Sequence, residues 1–356
     1  MRIAHINLAR SYRGGERQTE LLALGLRELG MPQIVVARRG GRLAGRLRHA
    51  DVEVRETAGN PFAAAMATRG AALVHVHDGR SIYAALLRKL VSGTPYVVTR
   101  RVNNPIGAHW LARKAYRRAA CVVCVARDIA DIVGCYDPGI RREVVHSASS
   151  GFVPDPAAVD ELRGAFRGKF LVGHVGALDN VQKGQEYIIR VARDLRQSHP
   201  DIHFVLVGGG EDESMLKAAA AGLGNITFTG FVDNVGDYLA AFDVFILPSN
   251  KEGIGGILLD AMDQGIPVIV SRVGGLHEIV HDGENGLLIA PRNPQQLGSA
   301  ILRLKESPWL RERYGARGRI VASAYSAGAM CARYAEIYRS VCVPGDRHGG
   351  GQLLSM

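Results

Sequence analysis

The stretch of this 356-residue chain best equipped for chemistry is Pro248-Ser249-Asn250-Lys251-Glu252-Gly253-Ile254-Gly255-Gly256, which runs on into Ile257-Leu258-Leu259-Asp260-Ala261-Met262. Glu252 precedes a glycine-rich turn, a helical pattern follows, and Asp260 stands eight residues beyond Glu252. The amides of such a turn, and of the helix start behind it, are unpaired donors at the positive end of a dipole, so they can hold a diphosphate. Carboxylates beside them can accept hydrogen bonds from sugar or ribose hydroxyls without binding the phosphates themselves. Two acids on an arbitrary helix edge would carry no such meaning. Here the apolar run DVFIL ends just before Pro248, which sets the acids at the carboxyl end of a buried strand.

A second turn, Ser11-Tyr12-Arg13-Gly14-Gly15-Glu16, closes the first apolar run of the chain and opens a helical pattern. Gly14 and Gly15 either admit a ligand to the backbone at a helix start or simply make a tight turn. Other candidates are weaker. His75 and His77 put two rings on one face of a strand, but no third ligand is apparent, so polar residues at a sheet end are expected and no metal site is. Cys121 and Cys124 spell C-x-x-C inside the run AACVVCVA, where residues three apart point to opposite faces of a strand, so both are expected in the core. Five cysteines make no disulfide framework. The first turn lacks the G-x-G-x-x-G of a nicotinamide site, no phosphate-cradling Walker loop occurs, and no Ser–His–Asp set stands out.

The elements that must position these residues alternate throughout. Strands are expected at 3–8, 33–37, 73–77, 96–99, 121–125 and 143–146, then at 170–175, 203–207, 226–229, 244–247, 267–270 and 286–289. Helical patterns fit 17–29 and 81–90 in the first half, and 184–198, 214–221, 235–241, 255–264 and 294–304 in the second. Alternating strands and helices predict parallel sheets covered on both faces, and Val/Ile/Leu-rich runs such as FVLVGGG and DVFILP suit that burial. The boundary falls near 147–168, where SASSGFVPDPAAVD is rich in Ser, Gly and Pro. Two open α/β domains joined there leave a cleft, and ligands of such sheets bind at the carboxyl ends of strands.

Composition agrees with a two-domain globular chain: 47% hydrophobic, 22% charged, net charge +10. No run approaches the length of a membrane-spanning helix, and the N-terminus reads as a strand rather than a secretory leader, so a cytoplasmic protein is expected. The charge is lopsided. Residues 1–150 hold 24 Lys+Arg against 11 Asp+Glu, leaving 20 against 23 for the rest. Nucleic acid is the generic partner of such a surplus, but no finger, RNA-recognition signature or aromatic-interleaved basic tract is present. Anionic lipid or a phosphorylated acceptor fits as well. Arg113 and Arg117, and Lys114 and Arg118, are spaced four apart and share a helix face; with Trp110 and Tyr116 nearby this segment either docks on an anionic bilayer or is a solvated helix face.

The run EGIGGILLDAM resembles the E-G-x-G-x-x-x-x-E-A-M pattern of the retaining glycosyltransferases of family 4, with Asp260 in place of the second Glu. The resemblance extends through FVLVGGGEDE, FTGFVDNVGDYLAAFDVFILPS, GIPVIVSRVGGLHEIVHDGENGLLIAPRNPQQL and RYAEIY, covering most of 170–340. It implies a GT-B fold: an α/β protein of two Rossmann-like domains with parallel sheets facing across a cleft. Residues 1–165 would form the acceptor side, 166–325 the sugar-nucleotide domain, a helix near 326–342 would pack back on the first domain, and 345–356 would be a flexible tail. It also implies a hexosyltransferase that retains anomeric configuration and works without metal or other cofactor, using a UDP- or GDP-linked sugar and a cell-envelope glycan or lipid-linked acceptor. A non-catalytic sugar-nucleotide binder and a GT-B sugar-nucleotide epimerase remain open as alternatives.

By that resemblance Glu252 contacts the donor sugar; Gly253, Ile254, Gly255 and Gly256 serve the sugar and diphosphate; Asp260 holds the ribose hydroxyls; Phe231 and Val232 lie near the base beside Gly208; and Lys183 neutralises the leaving diphosphate. Gly14, Gly15 and Arg101 complete the site from the first domain. Three departures stand out: Ala177 replaces the family's Arg, Arg101 its His, and Ser147-Ala148-Ser149-Ser150 its N-G-V-D. Arg101 or Arg272 is the candidate replacement for the missing phosphate contact.

Overall fold

The computed structural model describes residues 1–107 and 109–342; the tail expected at 345–356 lies outside the described residues. The first half runs β1 (Ile3–Asn7), α1 (Gly14–Glu28), β2 (Gln33–Arg38), α2 (Arg42–His49), β3 (Val54–Thr57), α3 (Pro61–Ala67), β4 (Leu73–Val76), α4 (Ser81–Ser92), β5 (Tyr96–Arg100), α5 (Trp110–Arg118), β6 (Cys121–Cys124), α6 (Arg127–Tyr136) and β7 (Arg142–Val144). The second runs α7 (Pro156–Ala165), β8 (Phe170–Val175), α8 (Asn180–Lys183), α9 (Gln185–Leu195), β9 (Ile202–Val207), α10 (Glu213–Ala219), β10 (Ile226–Gly230), α11 (Val235–Ala241), β11 (Val244–Leu247), α12 (Gly256–Asp263), β12 (Val268–Ser271), α13 (Leu276–Ile279), β13 (Leu287–Ile289), α14 (Pro294–Glu306), α15 (Pro308–Ser323) and α16 (Ala327–Cys342).

Two parallel sheets result, ordered β3-β2-β1-β4-β5-β6-β7 and β10-β9-β8-β11-β12-β13. In each, the chain starts near the middle and reverses direction of growth, β1 lying between β2 and β4, and β8 between β9 and β11. That switch point opens a crevice at the strands' carboxyl ends, where the turns carrying Gly15 and Glu252 sit. Each sheet is buried on both faces. Alternate residues of one strand feed opposite cores: Cys121 packs with Ile3, Leu22 and Tyr334, while Cys124 packs with Ile6, Val76 and Ile129. The C-x-x-C pair is therefore divided by its own strand, and burial pushes both thiols up to about 12.

Helix α16 returns to the first domain, inserting Met330, Cys331, Tyr334 and Tyr338 against Leu22, Leu26 and Leu73. Helix α7 packs instead on the second domain: Arg163 holds Asp243 at 2.9 and 3.1 Å, and Asp237 accepts from the Asp155 amide at 2.8 Å. The linker thus ends before α7, upstream of the expected division at 165. Strand β3 escapes the sequence pattern because it is a half-buried edge, VRET, with the charged Arg55 and Glu56 side by side at its centre.

The two domains touch through built contacts. Gln18 of α1 donates to the Ala148 carbonyl at 2.7 Å and accepts from its amide at 2.8 Å. Glu278 of α13 accepts from the Arg127 amide, at the start of α6, at 2.7 Å and lies 3.0 Å from His146 Nε2.

Candidate active site

Strand β11 is fully buried and is followed by Pro248 and Ser249, so the chain leaves the core at the cleft floor. Ile254, only 2% exposed, anchors the following turn in the second domain's core. Gly255 takes a left-handed conformation, φ 60°, as the cap of α12, and no side chain caps the helix, so its first amides remain on offer. Glu252 is held at the lip. Its carboxylate is paired with the Lys183 ammonium, accepts from Ser249 Oγ at 3.4 Å and lies against the Gly253 amide at 3.3 Å.

Lys183 reaches this position because α8 is a single turn stopped by Gly184, φ 66°. The loop before it is packed tightly: a Cβ on Gly208, φ 130°, would stand 2.1 Å from the Gly176 carbonyl oxygen, so β9 passes the loop only as glycine. His174, which the sequence reading passed over, lies beneath. Its Nδ1 is 3.1 Å from the Ile246 carbonyl and its Nε2 3.3 Å from Gln185 Nε2, and burial pushes its pKa down to about 4. The carbonyl requires a proton on Nδ1, so the ring is a neutral prop under Lys183 rather than a second cation. Its spacing from Lys183 in the chain offers no signal for it; only the fold of the connecting loop around Gly176 brings the two together.

The first domain closes over this floor. The Arg101 carbonyl oxygen would lie 2.6 Å from a Cβ on Gly253, so the turn after β5 rests on the turn after β11. The Arg101 side chain runs back over Gly15, with Cδ 3.7 Å from where a Cβ there would be. Its Nε is buried without a hydrogen-bond partner among the described residues. Burial lowers the guanidinium's pKa, opposed by Tyr334, Glu16 and Tyr338. Gly14 and Gly15 begin α1, whose Glu16 carboxylate accepts from the Arg13 amide at 2.9 Å. Lys183, Glu252, residues 253–256, Arg101 and Gly15 are thus brought to one cleft. Ala177 leaves its own position without a cation, and Arg272 is exposed at the end of β12.

Phe231 and Val232 follow β10. Phe231 is 52% exposed and stacked under Arg42 of the first domain, 4.2 Å from ring centroid to guanidinium carbon; Arg42 also lies 3.7 Å from Asp233. Asp260 behaves differently from the rest. Its carboxylate is 4% exposed and is held by the linker, accepting from Ser149 Oγ at 3.1 Å and from the Ser150 amide. Burial pushes its pKa up to about 6, against those hydrogen bonds. The linker serines, which stand where the N-G-V-D pattern is absent, are therefore partners of Asp260 that its position in the chain does not reveal.

Residues 169–307 match the family model described as Glycosyl transferases group 1. Over that span the chain is similar to the group 1 glycosyltransferases. Among curated proteins the chain is 27% identical over 303 residues to alpha-D-kanosaminyltransferase of Streptomyces kanamyceticus, covering 76% of this chain and 78% of that one. It is 30% identical over 215 residues to the lipopolysaccharide core biosynthesis glycosyltransferase LpsE of Rhizobium meliloti, covering 57% and 59%. Its fold matches the crystal structure of Anabaena HepE in complex with UDP-glucose, TM-score 0.84 at 20% identity over 96% of this chain and all of the other. The architecture is GT-B.

Helix α5 presents Trp110, 65% exposed, with Arg113, Lys114, Arg117 and Arg118 around one shallow surface pocket. Tyr116 is not part of that surface: it is buried and its hydroxyl accepts from Arg100 at 2.9 Å. Arg117 is ion-paired to Asp137, whose pKa the guanidinium's hydrogen bond lowers. No described helix is long and apolar enough to cross a membrane.

Proposed function

We propose that this glycosyltransferase transfers a hexose from a UDP- or GDP-linked donor to a hydroxyl of a cell-envelope glycan or lipid-linked acceptor, with retention of anomeric configuration. One arrangement carries the reading: the Lys183–Glu252 pair at the mouth of the amide-rich turn 253–256, closed over by Arg101 and Gly15. In this reading the donor diphosphate lies on the turn's amides and draws Lys183 from Glu252, freeing Glu252 for the sugar's hydroxyls. The bond from the sugar's anomeric carbon to the diphosphate oxygen breaks, and the acceptor oxygen bonds to that carbon on the same face. The acceptor's proton passes to the departing phosphate oxygen, so no carboxylate nucleophile is required. Lys183, Arg101 and the amides stabilise charge gathering on the leaving group, a task that can be done without a divalent cation and is worth several kcal/mol. Closure of the domains limits hydrolysis by excluding water.

The test is a thermal-shift screen with UDP, GDP and their sugars, since a ligand of the folded state raises apparent stability. It is followed by NMR of the product formed with the stabilising donor. Stabilisation by one nucleotide family and a product of unchanged anomeric configuration, at a rate not raised by Mg²⁺ or Mn²⁺, is expected. Inversion, or conversion of the donor to another sugar nucleotide without acceptor, would overturn the reading.

The α5 face is assigned to the anionic inner surface of the cytoplasmic membrane, on the basis of Arg113, Lys114 and Arg118, which have no ion-pair partner among the described residues, and the exposed ring of Trp110. Reversing the charge at Arg113, Lys114, Arg117 and Arg118 should abolish sedimentation with phosphatidylglycerol vesicles at low salt; undiminished binding would remove the assignment.

A further inference from the structure

His75 and His77 have the third imidazole that the sequence did not reveal. His5 pairs in register with His75 across β1 and β4, and His77, just past the end of β4 with its amide donating to the Ile6 carbonyl, lies two residues on and shares that face, so the ladder puts all three rings into one layer between the first sheet and α16. His5 and His75 are 0% exposed and His77 5%. One nitrogen from each ring lies within 4.8 Å of the other two. His5 Nδ1 and His77 Nε2 are 3.0 Å apart, near the separation of about 3.3 Å between ligands of a tetrahedral ion with bonds of about 2.0 Å.

The hydrogen bonding within the cluster is incomplete. Among the described residues, His5 Nε2 and His77 Nδ1 are buried without a partner. Burial keeps all three rings neutral, with His5 down at about 3. A neutral imidazole has one N–H and one lone pair. Whichever ring donates in the His5–His77 bond, one buried N–H is left without an acceptor and one lone pair without a donor, an arrangement that costs about 1–3 kcal/mol per group. His75 is oriented from outside: Nδ1 lies 2.6 Å from the Tyr338 hydroxyl and Nε2 2.7 Å from Thr99 Oγ1, which is 2.8 Å from the Tyr334 hydroxyl. Giving up one of these bonds frees a nitrogen while the other keeps the ring fixed, the usual outer support of a metal-bound imidazole.

We propose that His5, His75 and His77 form a buried site for a divalent first-row transition metal of the zinc, cobalt or nickel class. Three neutral nitrogen donors, with no carboxylate in the set, suit an ion that binds imidazole strongly and disfavour Mg²⁺ and Ca²⁺. Through Tyr338 the ion ties α16 to β1 and β4, beneath the layer that carries Arg101. Its role is structural, and it is independent of the glycosyl-transfer reading.

The full chain, purified without a polyhistidine tag, is loaded with Zn²⁺, freed of excess by gel filtration and analysed for metal by mass spectrometry. About one equivalent is expected to stay bound, and His5→Gln and His77→Gln are each expected to lose it. Chelation should lower the melting temperature of the wild type and leave that of the variants unchanged. Where a variant fails to fold, Co²⁺ loading of the wild type decides: an intense visible spectrum of a nitrogen-bound, low-coordinate ion supports the site. Retention of no metal by the folded wild type, an aqua-like Co²⁺ spectrum, or undiminished zinc in both variants overturns it.

Discussion

Ser149 donates its hydroxyl to the Asp260 carboxylate across 3.1 Å, tying the linker between the domains to helix α12. The Ser150 amide donates to the same oxygen, and the buried carboxyl has its pKa pushed up to about 6. The unfolded chain's value is about 3.9, so between those values the folded state holds a proton that the unfolded state releases. The group's favourable contribution is complete below about pH 4 and is lost as pH rises through about 6. Asp260→Asn should abolish that loss. Urea titrations at pH 4 and pH 7.5 should show the wild type losing roughly 1–3 kcal/mol relative to the variant over that interval; a difference independent of pH would contradict the assignment.

Removing either partner of the ion pair at the cleft mouth should cost catalysis more than folding. Lys183→Ala and Glu252→Gln are each expected to lower kcat by about 10²-fold or more, with a smaller effect on melting temperature, because the pair, its side chains 19% and 12% exposed, sits at the lip of the cleft rather than within either hydrophobic core. Equal loss of stability and rate would mark the pair as structural.

Gly253 tests the closed arrangement of the domains. Its φ is not in the left-handed region, so alanine suits its own backbone, yet the added Cβ would meet the Arg101 carbonyl oxygen at 2.6 Å. Gly253→Ala should leave the circular dichroism unchanged, open the cleft and weaken nucleotide binding by about 10-fold, since interior contacts cannot yield at that distance. Small-angle scattering reads the opening; an unchanged radius of gyration with normal affinity would refute it.

Arg101 stands where the resembling family has a histidine, and its buried Nε is without a partner. Arg101→Ala and Arg101→Lys should both lose about 10-fold or more in donor affinity, since a lysine cannot reproduce the planar guanidinium. Calorimetry with the nucleotide chosen by the stability screen reads this, and full rescue by lysine would show that only the charge matters.

The parallel sheets were legible because buried strands such as FLVGHV and VFIL read as continuous apolar runs between helical patterns. The turn at Glu252 was legible for a related reason: strand, glycines and helix follow one another in the chain, so local order encodes the turn. β3 was not, because an edge strand with Arg55 and Glu56 lacks that apolar signal. The partners of Asp260 lie more than a hundred positions away, and nothing in local spacing predicts that the linker turns its serines toward α12. His5 was hidden for the same reason, though its place as the third residue of β1, matching His75 as the third of β4, is a register clue that a parallel pairing of those strands makes readable. Tyr116 shows the opposite error: helical spacing set it near the basic face, but the packing of Arg100 turned it inward.

The central claim is that the donor diphosphate rests on the turn at 253–256 under Lys183. A crystal structure of the full chain soaked with the nucleotide sugar that stabilises it most tests this directly. The account predicts phosphate oxygens on the amides of this turn, with Lys183 Nζ within about 3 Å of one of them and withdrawn from Glu252. A diphosphate bound elsewhere in the cleft, with the Lys183–Glu252 pair intact, would contradict it.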